Sequence, residues 1–544
     1  MTFSFNNRPN IIASLKKDYF DIIVIGGGIT GAGIALDAAS RGLKVALVDK
    51  GDFASGTSSK STKLIHGGLR YLKQFDFKLV REVGKERATV HKLAPHLVRP
   101  EKMLLPLIKD GNYGKIITSV GLMVYDVLAD VEVQDQRKML TKEETLASEP
   151  LLKPDHVEGG GLYAEYQVDD ARLVIEVIKA AHDFDAKCLN YTKAIDLIYS
   201  GGKVSGVKCE EQFSKENFEI YADHVINASG PWVDEIRKKN KSLNEKRLHL
   251  TKGVHIVVDK AKLPIKQSVY FDVSDGRMIF AIPRVKTTYI GTTDTEYSSD
   301  KDNIRASKAD VDYLINAVND MFPYSGISHK DIQSSWAGVR PLIHEEGKSA
   351  SEISRKDEIF EAENGLISMA GGKLTGYRKM AQKAVYLVAK RIHDKTGKSI
   401  KPSRTKRIML PGNGFKDYKD VLKYKEKYEP KFDAKDHFKI SRLIDKYGNQ
   451  FEAIYKIYES FDTSDENSLI RAELQFCLEN EMVSSLLDFY ERRTGRLYFE
   501  IDSITSSMEV IADDMGEFLN WTAEEKEAQI QSLKDAIVLA TTFE

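Results

Sequence analysis

Three glycines and one acid carry the first chemical signal: Gly26, Gly28 and Gly31 form G-x-G-x-x-G, and Asp49 stands 21 residues after Gly28. Glycine at the first position permits a tight turn, at the second a close backbone approach to a pyrophosphate, and at the third close packing of helix on strand. Free N–H groups and a partial positive charge at the helix start then face the phosphates. An acid at Asp49 suits a ribose hydroxyl, which fits FAD or NAD better than NADP. Further along, Thr57, Ser58, Ser61 and Thr62 supply hydroxyls in a loop rich in Gly and Ser. Such a loop can satisfy phosphate or isoalloxazine oxygens, or simply turn the chain into the next helix. His66, Gly67, Gly68, Arg70 and Tyr71 follow, a glycine pair that brings backbone close to something flat or charged, or caps a helix. Arg340 stands at a strand-to-loop break in SSWAGVRPLI. A second glycine turn, Gly371 and Gly372 with Lys373, opens a helix from about Thr375. It either aims N–H groups at an acceptor or is a plain strand-to-helix connection.

These residues need a scaffold. Residues 21–49, DIIVIGGGITGAGIALDAASRGLKVALVD, read as strand, phosphate-binding turn, helix and strand, the opening unit of a doubly wound α/β sheet. DHVINASGPW is a further buried strand whose end, at Gly230 and Pro231, lies beside the nucleotide. Residues 75–97 have helical spacing and 103–108 read as a strand; Asp169 and Asp170 cap an amphipathic helix. AIDLIYSGGKVSGVKCEE is a hairpin turning at Gly201 and Gly202. Between 248 and 297 the period switches to two in HLTKGVHIVVD, SVYFDV, RMIFAIPR and TTYIGTTD, predicting an antiparallel sheet that covers the cofactor. Pro402, Pro411, Gly412 and Gly414 mark a linker into sequence that is helical and rich in Lys, Glu and Tyr. The expected division is an oxidoreductase region over 1–400 and a separate all-α domain over 401–544. Within the first, nucleotide-binding segments span about 18–100, 150–240 and 335–395, with substrate-domain segments at about 101–149 and 245–334.

Composition narrows the function classes. With 544 residues, 30% charged and 42% hydrophobic, the chain is an ordinary globular protein of two or three subregions. Its net charge of −1 gives no field that would draw nucleic acid. Cys188, Cys209 and Cys477 are far apart and form no C-x-x-C, which suits buried fillers in a reducing cytoplasm and excludes an obvious metal site. No signal-peptide core precedes the first strand. The apolar stretch 116–131 holds Asp126 and Asp130 and is too short and interrupted to span a bilayer.

Only one G-x-G-x-x-G occurs, so no second nucleotide fold is expected to bind a nicotinamide beside a flavin. The fingerprint, together with TSSKSTKLIHGGLRYL, NASGPWVDEIR, TKGVHIVV, IGTTDTEY, WAGVRPL, ISRKDEI and AGGKLTGYRKMA, closely resembles the FAD-dependent glycerol-3-phosphate dehydrogenases and the related α-glycerophosphate oxidases. The likeness runs from about residue 18 to the C-terminus. It implies a doubly wound FAD domain, similar to that of glutathione reductase and D-amino-acid oxidase, interleaved with an antiparallel substrate domain. It also implies FAD as cofactor, held by Gly26, Gly28, Gly31, Asp49, Thr57, Ser58, Ser61, Thr62, His66, Gly372 and Thr375, and oxidation of sn-glycerol 3-phosphate to dihydroxyacetone phosphate. Arg70, Arg340, Arg355 and Lys373 match the family's cationic substrate pocket, with Tyr71 beside Arg70. Fixed guanidinium groups suit a phosphate dianion. His255 in TKGVHIVV matches a substrate-pocket histidine and is the favoured base, ahead of His66. Arg340 and Lys373 would stabilise developing negative charge.

The resemblance leaves a quinone or O2 to reoxidise the flavin. The oxidases carry a long insertion after the Arg-Pro-Leu segment, whereas here only IHEEGKSASE separates Leu342 from Ile353, which favours a dehydrogenase. A quinone is reached at the membrane, so a cytoplasmic chain lying on the inner face of the cell membrane is expected. The segment 116–127 and the N-terminus with Ile11, Ile12, Lys16 and Lys17 are the docking candidates, and a homodimer is allowed.

Overall fold

The computed structural model describes residues 2–65, 77–109, 111, 137–244, 246–344 and 357–543. Its first layer is a sheet in the order Asp357–Glu361, Ile367–Gly371, Asn217–Asn227, Tyr19–Ile25, Val45–Val48, Lys187–Leu189, parallel except for the first strand. Ile22, Ile23, Val24 and the whole of Val45–Val48 are buried, because helices cover this sheet and a parallel strand then reads as a continuous apolar run. The Ala-rich helix Ile29–Ser40 packs between Asp170–Asp183 and Tyr377–Thr396. The expected hairpin is present as Thr192–Ser200 and Lys203–Glu211, extended antiparallel onto Asn217–Asn227.

The second layer is a ten-stranded sheet. Leu248–Asp259, Ser268–Asp272, Met278–Pro283 and Thr287–Gly291 are the four strands that the alternation predicts. Leu248–Asp259 pairs along its length with Ile332–Ile343, and Val98–Ile108 pairs with Val157–Val168, all antiparallel. The sheet is not purely antiparallel, since Ser268–Asp272 runs parallel to Val98–Ile108. Three strands depart from the expected division. Leu64–Ile65, Val157–Val168 and all but the first three residues of Ile332–Ile343 fall in segments assigned to nucleotide binding, yet all belong to this second sheet. Local pattern gives a strand's existence but not its partner. The helix expected over 75–97 runs over Phe77–Leu93.

The C-terminal region is helical as predicted, from Tyr418–Tyr428 to Ala523–Thr541. It is not separate. Its core residues Tyr447, Phe489 and Met515 form one apolar cluster with Tyr289, Trp336 and Val257 of the second sheet. At the N-terminus, Ile11 is 3% exposed and Ile12 packs against the first core. Ile11 of the helix Arg8–Lys17 is therefore spent on the protein interior, while Ile12 stays partly exposed. The other docking candidate, 116–127, lies outside the described residues. No helix among the described residues is long and apolar enough to cross a membrane.

A seam of buried charge joins the helical region to the first layer. Asp52, 1% exposed, accepts from Arg492 Nε and Arg493 Nη1, both at 2.7 Å, and Arg172 Nη1 donates to Glu481 at 2.6 Å. Burial alone would raise the Asp52 carboxyl, but Arg493 and Arg492 outweigh it and bring it down to about 2. Leaving two buried guanidinium groups without their shared acceptor destabilises by about 3–5 kcal/mol. Asp52→Asn should therefore lower the unfolding free energy by that amount in urea titrations. Because the folded value lies below the unfolded ~3.9, this stability is present above about pH 4 and is lost as pH falls toward about 2. Acid denaturation of Asp52→Asn should be correspondingly less steep.

Candidate active site

A groove of about 1560 Å³, open to solvent, crosses the ends of the parallel strands. Its floor is the turn after Tyr19–Ile25. Gly26 holds φ +110°, open to glycine, and a Cβ there would lie 2.6 Å from Ala228 O. At Gly31 a Cβ would overlap the Gly26 carbonyl, so the helix can start under the turn only without a side chain. Asp49, ending Val45–Val48, accepts from Gly27 N–H at 2.5 Å and Gly51 N–H at 2.9 Å. Burial pushes its carboxyl up to about 6 despite those two bonds.

The hydroxyl loop lies along the groove and each hydroxyl has a task. Ser58 Oγ accepts from Ile29 N–H at 3.0 Å, over the helix start. Thr57 Oγ1 donates to Val339 O at 2.6 Å, tying the loop to Ile332–Ile343. Ser61 donates its N–H (2.9 Å) and its Oγ–H (2.7 Å) to Asp170 Oδ2. Thr62 Oγ1 lies 3.0 Å from His255 Nε2. Asp169 is a helix cap as expected, accepting from Arg172 N–H. Asp170 serves mainly as the loop's anchor, since it also pairs with Lys63 Nζ at 2.5 Å.

His255 is 1% exposed and stacks on Trp336, with ring centroids 4.7 Å apart. Burial, then Arg340 and Lys63, hold its imidazole well below the usual histidine range, so it is neutral. Arg340 donates to Thr292 Oγ1 at 2.9 Å, to Thr293 O at 3.2 Å and to Asp294 Oδ1 at 3.1 Å. Glycine at 253 leaves room for its guanidinium, which a Cβ would overlap. Lys373 lines the groove just before the turn Leu374–Gly376, opposite the first glycine turn.

A family model described as FAD dependent oxidoreductase matches residues 21–378, and one described as the C-terminal domain of alpha-glycerophosphate oxidase matches 403–526. The chain is 47% identical to the aerobic glycerol-3-phosphate dehydrogenase of Bacillus subtilis (strain 168), with 98% of each chain covered. It is 49% identical to the one of Staphylococcus saprophyticus, covering 100% of this chain and 98% of that one. The chain belongs to this FAD-dependent oxidoreductase family. The solved glycerol-3-phosphate dehydrogenase from Bacillus halodurans complexed with FAD superposes with a TM-score of 0.85 at 40% identity, covering 99% of each chain. An L-alpha-glycerophosphate oxidase from Mycoplasma pneumoniae with FAD bound shares the fold, with a TM-score of 0.57 at 20% identity over 72% of this chain and 99% of that one.

The family's cofactor is FAD, and the groove fits it. Its glycine floor lets a pyrophosphate approach the start of Ile29–Ser40, and Trp232 Nε1 is a buried donor in its wall without a partner among the described residues. Gly26, Gly28, Asp49, Thr57, Ser58, Ser61 and Gly372 line the groove. Gly31 acts one step back, through packing. Thr62 and Thr375 are not in the lining: Thr62 reaches His255, and Thr375 is buried in its own turn. His66, Arg70, Tyr71 and Arg355 lie outside the described residues. Sequence reasoning missed Trp232, although NASGPW was singled out, and Lys193 and Ala194, which enter the wall from the hairpin with no local signal. Among the described residues, no cluster of His, Cys, Asp and Glu could hold a metal ion.

A Cβ at Gly28 would meet only the Ser58 hydroxyl, 3.1 Å away. Gly28→Leu should therefore fold, by far-ultraviolet circular dichroism, yet purify without flavin absorbance. Gly31→Val should lose both.

Proposed function

We propose that the chain oxidises sn-glycerol 3-phosphate to dihydroxyacetone phosphate with FAD as immediate acceptor, and passes the electrons to a quinone. The observation that carries this reading is a neutral imidazole, His255, one hydroxyl away from the cofactor loop and close to the cation Arg340. It occurs in a chain similar from end to end to glycerol-3-phosphate dehydrogenases. Bound in the groove, the cofactor would supply the acceptor for the C2 hydrogen, which leaves as hydride. The residues supply the rest. His255 is buried, so the substrate's hydroxyl proton reaches it through Thr62: Thr62 Oγ1 gives its proton to Nε2 as it takes the proton from the substrate's C2 hydroxyl. Arg340, its fork fixed by Thr292 and Asp294, and Lys373 stabilise the negative charge that develops. Arg70, Tyr71 and Arg355 are assigned to the substrate phosphate.

Since His255 is held well below its ordinary value, it stays unprotonated across the neutral range and loses its function as a base only in acid. Anaerobic stopped-flow reduction by glycerol 3-phosphate should show no inflection near the usual histidine value of about 6.5. His255→Ala should slow it by about 10²–10⁴-fold, and Thr62→Val should slow it in the same direction. Unchanged reduction in His255→Ala would remove the imidazole from the mechanism.

The short 342–353 connection favours the quinone, and delivery to it requires the bilayer surface. With Ile11 in the core, the segment 116–127 is the favoured candidate for that contact, beside the partly exposed Ile12 with Lys16 and Lys17. The family model for the C-terminal region, described from alpha-glycerophosphate oxidase, favours oxygen as the second reading. Turnover should rise when a quinone and lipid vesicles are added and should yield little peroxide. Rapid detergent-free turnover with oxygen, with stoichiometric peroxide and no gain from quinone, would establish the oxidase instead.

A further inference from the structure

Away from the groove, four cations crowd one place where the helical region meets the second sheet. Arg442 and Lys446 stand one turn apart on His437–Tyr447, Arg496 opens Arg496–Phe499, and Arg284 follows Met278–Pro283. Glu500 ties two of them together, Arg442 Nη1 on Oε1 and Arg496 Nη1 on Oε2 at 3.3 Å. Arg284 Cζ lies 3.9 Å from the ring centroid of Phe499, the residue before Glu500. Lys446 Nζ donates to Thr494 O.

Negative charge here is short. The nearby carboxylates are Glu500, Glu473, which is 3.5 Å from Arg496 Nη2 and also accepts from Tyr447 OH, and Asp169, already occupied as a helix cap. Just beyond, Arg99 and Lys425 share the single Asp445. Among the described residues Glu101 and Asp170 also act on Arg284, but Glu101 is bonded to Ser268 Oγ and Asp170 is paired with Lys63.

The donors are also unfilled. Arg284 makes no side-chain hydrogen bond or ion pair among the described residues. Nε of Arg284, Arg442 and Arg496 and Nη2 of Arg442 are buried with no partner there. Buried guanidinium N–H groups without acceptors are costly, and their planar fork matches a tetrahedral oxyanion. Burial and then Arg442 push Lys446 down to about 7, and burial and then Arg496 push Arg442 down to about 9. Burial is the larger cause in both, and the neighbouring cations add to it.

We infer that Arg284, Arg442, Lys446 and Arg496 form a binding site for a compact phosphate dianion, either orthophosphate or the phosphate group of a small monoester. The ligand would fasten the helical region to the second sheet, since Arg284 comes from the sheet and the other three from the helices. The inference does not rest on the proposed reaction.

The test is isothermal titration of the FAD-loaded full chain with orthophosphate, and separately with ethyl phosphate, at constant ionic strength in chloride. Arg442→Gln and Lys446→Met should each weaken by at least about tenfold an uptake that Arg70→Gln, a change at the substrate phosphate, retains. Lys446→Met removes a repelled charge and should fold without phosphate, which guards against Arg442→Gln failing because it frees Glu500. Uptake of orthophosphate alone identifies the free anion as ligand, and uptake of both admits a monoester. Wild-type binding in both variants, or loss only in Arg70→Gln, would overturn the site while leaving the proposed reaction standing. Absence of any uptake by the wild type would overturn it as well.

Discussion

The buried ion pair between Lys63 and Asp170 is the joint on which both sheets depend. Asp170 begins a helix of the first layer, and Lys63 leads into Leu64–Ile65 of the second. Around that joint, Ser61 O accepts from Trp336 Nε1 at 3.2 Å, Thr62 O accepts from Tyr289 OH at 3.0 Å, and Val168 N–H donates to Lys63 O at 2.9 Å. Lys63 holds φ +55°, a left-handed conformation that costs a lysine about 1–3 kcal/mol. A chain of bonds from four other elements keeps it there. Three consecutive residues thereby set the cofactor loop, the orientation of His255 and the crossing between layers.

The same joint explains why the imidazole is neutral. The neutrality follows from place rather than from a partner: His255 is buried against Trp336, with Arg340 and Lys63 as neighbouring cations. Trp336 and Tyr289 also belong to the core of the helical region, through Phe499 and Tyr498. The C-terminal helices are thus the back wall of the site rather than an appendage.

What was legible in the sequence was local. Strand, glycine turn, helix and acid occupy 29 consecutive residues, from Asp21 to Asp49, and each obeys a rule of backbone geometry that needs no distant partner. The second glycine turn and the alternating strands were readable for the same reason. Pairing was not. Val157–Val168 carries a strand's pattern, but its partner Val98–Ile108 is separated from it by the intervening chain. Asp170 sits where caps sit, so a local rule accounts for it, while its ties to Ser61 and Lys63 span more than a hundred residues. The apolar N-terminal isoleucines could face lipid or core by pattern alone, and tertiary packing chose the core for Ile11 and a partly exposed place for Ile12. His255 was singled out by likeness to the family, whereas its contact with Thr62 required the fold.

The central claim, that this groove holds FAD and reduces it only with a phosphorylated polyol, is most directly tested by anaerobic titration of the purified flavoprotein. Glycerol 3-phosphate should bleach the flavin stoichiometrically, while glycerol and amino acids at the same concentrations leave it oxidised. Bleaching by an amino acid, or by glycerol as readily as by its phosphate, would contradict the account.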